Sequence, residues 1–258
     1  MLPARLRLGT SGYAYKDWVG PFYPPGVPQG EWLSFYAQRF DTVEINSTYY
    51  RVGPKSSYAA MRAKVGDEFV FSVKAPGDVT HVRREDPVPI LSEFFNAIAP
   101  LGRGPVLLQF PFSFHYTATN RRYLSRSLEA FDTRAAVVEV RHDSWVRASV
   151  TEGLSRRGVA LASVDLPALP GLPPREAIVT ANPGYLRLHG RNTERWWEHD
   201  NAWQRYDYRY RSDELKEWVP RIRRMLQEAE DVFVYANNHF QGQAVEAIEL
   251  IESMLGDD

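Results

Sequence analysis

No cysteine occurs anywhere in the sequence, which removes disulfides, thiolate metal sites and cysteine nucleophiles together. The absence suits a reducing compartment. No apolar run approaches the roughly 18 residues of a membrane span, and the opening segment MLPARLRLGTSG lacks the apolar stretch of a signal peptide. A soluble, cytoplasmic protein with no membrane partner is expected. Charge of one sign is also missing: 31 Lys and Arg stand against 32 Asp and Glu, a formal net charge of −1. There is therefore no overall basic field of the kind that announces nucleic acid, although a local basic groove stays open. Gly- or Ser-rich linkers, internal repeats and low-complexity tracts are absent too. The chain reads as one domain, residues 1–258, close to the roughly 250 residues of an α/β barrel.

What is present is alternation. Short apolar or β-branched runs occupy residues 6–11, 42–48, 69–74, 105–110, 136–141, 160–165, 185–189 and 232–237. Amphipathic stretches of helical spacing lie at 32–39, 56–65, 91–99, 121–131, 149–157, 212–230 and 243–255. Strand and helix in turn predict a parallel sheet with right-handed crossovers, and eight such units in about 250 residues predict a TIM-type (β/α)8 barrel. The sixth unit should be irregular. Pro167, Pro170, Pro173, Pro174 and Pro183 crowd the segment after Asp165, so helix six is expected to be short or missing.

The stretch 137–145, VVEVRHDSW, is the oddest in the chain. Residues two apart in a strand share a face, so Glu139 and Arg141 point opposite to Val138 and Val140. Burying such charges costs several kcal/mol each unless they are paired. The same alternation along the other strands collects Glu44 and Asn46, Ser72 and Lys74, Gln109, Ser163 and Asp165, Arg187 and His189, and Asn237. Most sit at the C-terminal ends of strands, where barrel enzymes build their sites. All six histidines, among them His81, His115, His142, His189 and His239, fall at or just beyond a strand end and off every predicted helix. The alternative is a purely structural ion network, in which Glu44, Glu139 and Asp165 neutralise Lys74, Arg141 and Arg187.

Two long aromatic loops complete the inventory. The first holds Tyr13, Tyr15, Trp18, Phe22 and Tyr23; the second holds Trp196, Trp197, Trp203, Tyr206, Tyr208 and Tyr210 among arginines. Long loops in a compact domain are binding loops or lids, and a satellite core capping the barrel is the other role open to Tyr13, Trp18, Trp145, Trp196 and Trp197.

The ordered motifs LGTSGY, VEINSTYYR, FVFSVKAP with Thr80 and His81, LLQFPFSF, VEVRHDSW, LRLHGR, YDYRYRSDEL and VYANNHFQGQA resemble the domain-of-unknown-function-72 family, the YecE-like proteins, over nearly the whole chain. The resemblance implies a TIM-type barrel of uncharacterised function and assigns no catalytic roles. Three positions depart from the family pattern: Tyr13, Val140 and Ala236, the last replacing an aromatic residue and expected to open space near the site.

Three classes of function follow. In the first, an enzyme does acid–base chemistry on an anionic small molecule bearing phosphate or carboxylate. Its catalytic set is Glu44, Lys74, Glu139, His142, Asp165 and His189, and Lys74 would form a Schiff base if desolvated. The anion is expected near Arg187, His189, Arg191 and Asn238, where the loops after strands seven and eight meet a helix N-terminus. Asn46, Gln109, Arg141, Asn237 and His239 complete the binding set. In the second, a metal-dependent phosphodiester hydrolase or nucleic-acid-binding protein like endonuclease IV uses His142, His189, His239, Glu44, Glu139 and Asp165 as ligands, with Arg121, Arg122, Arg126, Arg205, Arg209 and Arg211 holding a strand. In the third, the protein only binds. No cofactor is required by the sequence, a divalent metal is the one candidate, and neither oligomeric state nor reaction is legible.

Overall fold

A computed structural model of the chain describes residues 5–256; residues 1–4 and 257–258 of the expected span lie outside the described ones. The strands are β1 (Arg5–Thr10), β2 (Thr42–Ile45), β3 (Val70–Lys74), β4 (Val106–Gln109), β5 (Ala136–Glu139), β6 (Ala160–Leu161), β7 (Ser163–Asp165), β8 (Gly184–Leu188) and β9 (Asp231–Ala236). All pair in parallel, in the orders β1-β9-β8-β7 and β2-β3-β4-β5-β6. The two sheets meet at two seams. At one, β6 and β7 are a single expected strand broken at Ala162. At the other, Ser11 forms an isolated parallel bridge to Glu44, and the Gly12 N–H donates to the Glu44 carbonyl at 2.8 Å. The TIM-type order is therefore present, with its hydrogen-bond ladder interrupted twice.

The helices are α1 (Trp32–Arg39), α2 (Lys55–Arg62), α3 (Pro87–Ile98), α4 (Ala118–Leu128), α5 (Ala148–Ser155), α6 (Ala202–Arg205), α7 (Ser212–Lys216), α8 (Val219–Glu228) and α9 (Gln243–Gly256). Where one helix was expected over 212–230 there are two. Pro220 lacks an N–H and sits in the first turn of α8, where none is needed, so it starts a helix better than it continues one. No helix occurs between β7 and β8 among the described residues, as the prolines required. That segment instead folds back on the kinked strand: Thr180 Oγ1 accepts from the Leu161 N–H at 2.8 Å and donates to the Val159 carbonyl at 2.7 Å. His81, expected off any helix, lies in a single π-helical turn, Asp78–Val82. Among the described residues no helix is long and apolar enough to cross a membrane.

Two apolar layers result. One lies between the strands and the helices; the other, smaller, fills the space inside the ring with Leu107, Val137, Ala160, Ala162, Tyr185, Phe233 and Tyr235. The β1–β2 seam is close because of Gly9. A Cβ there would stand 2.3 Å from the backbone oxygen of Thr42, so the strands must separate to admit one. Gly9→Ala is expected to lower folding stability by about 1–3 kcal/mol through overpacking. Urea denaturation measures it, and an unchanged midpoint would mean that the seam widens freely.

Candidate functional site

Parallel register decides which side chains face the interior. Glu44 is in register with Ser72, Lys74 with Leu107, Gln109 with Glu139 and Arg187 with Tyr235, and all of these point inward. Strand six departs from the expectation. Val164 is in register with Arg187, and Asp165 with Leu188, so the inward face is Ala160, Ala162 and Val164, while Ser163 and Asp165 point outward beneath the helices. Ala236 is in register with Leu188 as well and is buried in the outer layer. Its small size therefore opens no space at the mouth.

The interior charges form one network. Arg187 donates to Glu44 through Nη2 at 2.6 Å and to Glu139 through Nη1 at 2.7 Å. Arg141 donates to the other Glu139 oxygen through Nε. Glu44 also accepts from Ser11 Oγ at 2.8 Å and from the Tyr185 hydroxyl at 2.6 Å. Burial alone would raise the Glu139 pKa, but Arg141 and Arg187 outweigh it and hold the carboxyl well below the usual range. His189 is fully buried between them, and burial with the Arg141 charge pushes its pKa well below that of free imidazole. Asn237 Nδ2 lies 3.0 Å from its Nδ1, and Nε2 lies 3.3 Å from Glu139. Arg141 Nη2 also lies 3.2 Å from Nε2, and among these cations the ring is held neutral. These groups are committed to one another: Glu44, Glu139 and His189 build a floor and do not reach the cavity.

Above that floor lies a cavity of about 530 Å³, within the range of small-molecule sites. Its lining includes Asn46, Lys74, Gln109, Arg141, Arg187, Asn237, His239, Trp196 and Trp197 from the expected set. It also includes Tyr15, Tyr49, Tyr50, His81, Phe112, Trp203, Arg205 and Tyr206. Four side chains of this lining are Lys or Arg, and among the described residues that line it none is acidic. Lys74 stands out. Its Nζ donates to Gln109 Oε1 at 2.7 Å and lies 4.4 Å from the centre of the Tyr49 ring, and it has no carboxylate partner among the described residues. Burial, reinforced by the nearby Arg187 and Arg141 charges, lowers its pKa to about 7. Glu44 and Glu139 pull it the other way but are already matched by arginine. The ion-pair role that the sequence suggested for Lys74 is thus filled by Arg187. Arg205 stacks on Trp196, 5.3 Å from its ring centre, and donates to the Trp196 carbonyl at 2.9 Å. Two further polar atoms of the lining, Arg187 Nε and Asn46 Oδ1, are buried without a protein partner, an unusual state for buried polar groups.

Several expected site residues lie elsewhere. Asp165 accepts from Arg191 at 2.7 Å, from the Tyr210 hydroxyl at 2.9 Å and from Trp218 Nε1 at 2.5 Å, which makes it an anchor for α7 and α8 and takes Arg191 with it. Asn238 donates to the Tyr208 carbonyl at 2.9 Å, away from the cavity. The expected anion position at the last helix is already answered: the Gln241 N–H donates to Asp17 at 2.7 Å. His142 accepts from the Ser144 N–H at 3.0 Å and packs against His115, ring centres 4.0 Å apart, outside the cavity lining. Trp18 is buried and donates to the His239 carbonyl at 2.6 Å; Trp145 is buried, stacked on Phe114 and bonded to its carbonyl at 2.5 Å; Tyr13 packs on Tyr36. These three are cap and core. The rim aromatics are instead Tyr50, Trp197 and Trp203, which are 83%, 45% and 38% exposed.

The second functional class loses its constellation. With His142 and Asp165 elsewhere and Glu44 and Glu139 bound to arginine, no group of three or more His, Cys, Asp or Glu is placed to hold a metal ion among the described residues. Three of the six arginines are matched by carboxylates: Arg126 by Asp86 and Glu129, Arg209 by Glu246 and Arg211 by Asp213. Arg205, expected to hold a nucleic-acid strand, instead ends α6 at the cavity wall. The residues that the sequence missed, Tyr49, Tyr50 and Phe112, follow β2 and β4 outside the strand alternation. Their one signal was proximity to strand C-termini.

A family model described as a protein of unknown function, DUF72, matches residues 7–258. The UPF0759 protein YunF of Bacillus subtilis (strain 168) is 28% identical over 260 aligned positions, covering 93% of this chain and 91% of that protein. Among solved structures, a DUF72 family protein (TM1631) from Thermotoga maritima MSB8 has a TM-score of 0.91 at 36% identity, covering 98% of this chain and all of the other. A DUF72 family protein (EF0366) from Enterococcus faecalis V583 has a TM-score of 0.83 at 25% identity, covering 98% and 96%.

Proposed function

The chain belongs to the DUF72 family, and from that premise we propose that it is an enzyme whose C-terminal mouth takes a small anionic molecule and exchanges protons with it through Lys74. One observation carries this reading: a cavity with Lys74, Arg141, Arg187 and Arg205 in its wall and no acidic side chain among its described lining residues. An anion entering it meets only cations, neutral donors and rings. The aromatic walls suit a carbon skeleton with a carboxylate or phosphate at one end. Proton exchange falls to Lys74 because Glu139 and His189 are held in one state far from neutrality, whereas Lys74 stands near pH 7.

The binding test uses inorganic phosphate, pyruvate, citrate and adenosine monophosphate in calorimetric titrations. At least one is expected to bind, at least about tenfold more weakly to Arg205→Ala, the loss of roughly one charge-assisted hydrogen bond. Affinity for pyruvate, whose charge is constant over this range, should fall between pH 6 and pH 8 as Lys74 loses its charge. Failure of all four to bind, or equal affinity in wild type and variant, would sink the proposal.

Lys74 also leaves a mark on stability. Its pKa falls from 10.5 in the open chain to about 7 in the fold. Between these values the unfolded chain holds more protons, so this group makes stability rise with pH across that window and costs most below pH 7. Lys74→Met is therefore expected to raise the unfolding temperature at pH 6 and to raise it less at pH 10. Thermal scans at the two pH values check it; a variant destabilised equally at both would remove the depressed pKa.

A further inference from the structure

We propose that Lys74 is a nucleophile that forms an imine with a small carbonyl compound carrying a carboxylate or phosphate, held in the cavity by Arg141 and Arg205. This rests on the anion-binding reading above and adds the identity of the electrophile.

The surroundings of Nζ carry the inference. Its hydrogen bond is to a neutral amide oxygen, Gln109 Oε1, at 2.7 Å, and its other neighbour is the face of Tyr49. Neither requires a charged amine. The two interior carboxylates are taken by Arg187 and Arg141, so no carboxylate pairs with an ammonium. The Tyr49 face attracts one weakly, while burial and the guanidinium charges favour the neutral amine. A neutral Nζ that donates one N–H to Gln109 keeps its lone pair for another direction, and the side chain opens on the cavity. A carbonyl compound is suited to this position because an anionic tail on Arg141 or Arg205 is answered by charge while its reacting carbon is neutral. Arg187 Nε, buried in the same lining and without a protein partner, adds a donor for the polarised oxygen or the tail. The depressed pKa of about 7 adds that a large share of Lys74 is unprotonated at neutral pH.

The step balances without a cofactor or an oxidant. The Nζ lone pair forms a bond to the carbonyl carbon, the C=O π pair moves to oxygen, and the proton that nitrogen sheds reaches that oxygen through solvent, giving a carbinolamine. The hydroxyl then leaves with a further proton as water while the nitrogen lone pair closes the C=N bond. Protonated, this iminium withdraws electrons from the adjacent carbon, which lowers the barrier to breaking a neighbouring C–H or C–C bond.

The chain offers a clean experiment, since it holds only five lysines and the other four, Lys16, Lys55, Lys64 and Lys216, are exposed. The intact protein is incubated with pyruvate or pyridoxal 5′-phosphate at pH 7.5, reduced with borohydride and mapped by peptide mass spectrometry. The expected result is a reduced adduct on Lys74 that forms at least about tenfold faster than on any exposed lysine, because more of this amine is unprotonated, and that excess inorganic phosphate suppresses. Lys74→Arg keeps the charge and is expected to bind phosphate with no cavity adduct. Mapping on the wild type stands even if that variant misfolds. Labels confined to the exposed lysines while phosphate still binds would overturn the imine and leave the anion reading intact. Absence of both label and anion binding would overturn the two together.

Discussion

Arg187→Met is expected to cost about 3–5 kcal/mol of folding free energy, the penalty for removing one partner of a buried ion pair. The size follows from what is left behind. Arg187 answers Glu44 and Glu139 at 2.6 and 2.7 Å, and both carboxylates are fully buried. Without it Glu44 keeps only hydroxyl donors, Ser11 and Tyr185, and Glu139 keeps Arg141 and His189. The pH dependence gives a second check. In the wild type Glu139 titrates well below its ordinary value of 4.5, so its contribution is present above that value and is lost as pH falls through the folded pKa. With one of its two arginines gone, Glu139 should protonate more readily. The deficit of the variant, measured by urea denaturation, should therefore shrink below pH 5. A deficit under 1 kcal/mol at pH 7, or one that grows in acid, would mean that the network is solvated and not a dry floor.

Asp165→Asn is expected to cost about 3 kcal/mol and to leave anion affinity unchanged. The carboxylate gathers donors from three places: Arg191, Tyr210 and Trp218. An amide offers one acceptor oxygen and turns an NH2 toward a donor, so at least one buried group loses its partner. Denaturation reports the stability, and phosphate titration of the same variant reports the site. If affinity falls tenfold while stability holds, Asp165 belongs to the chemistry after all and its outward register is misleading.

The strand alternation that located Lys74, Gln109, Glu139 and Arg187 misplaced Asp165 for a definable reason. In β2, β3, β4, β5 and β8 the polar residues and the inward face coincided. In strand six they did not, because Ala160, Ala162 and Val164 fill the ring and Asp165 finds its donors among the helices. A polar residue on a strand declares only that it needs a partner; on which side that partner waits is not a local property. The aromatic loops divided in the same way. Trp18 and Trp196 look alike in sequence, yet Trp18 is sealed under the His239 carbonyl and Trp196 forms the cavity wall beneath Arg205.

The order of strands and helices, the missing sixth helix and the face on which Lys74 lies were determined by the chain itself, since periods of two and 3.6 residues and the stereochemistry of proline act over neighbouring positions. The pairing of charges was decided only by the tertiary structure. Arg187 and Glu44 stand 143 residues apart in the chain, and attraction depends on separation in space. That pairing gave both interior carboxylates to arginine and left Lys74, a residue that composition alone would place in an ion pair, facing the cavity without one.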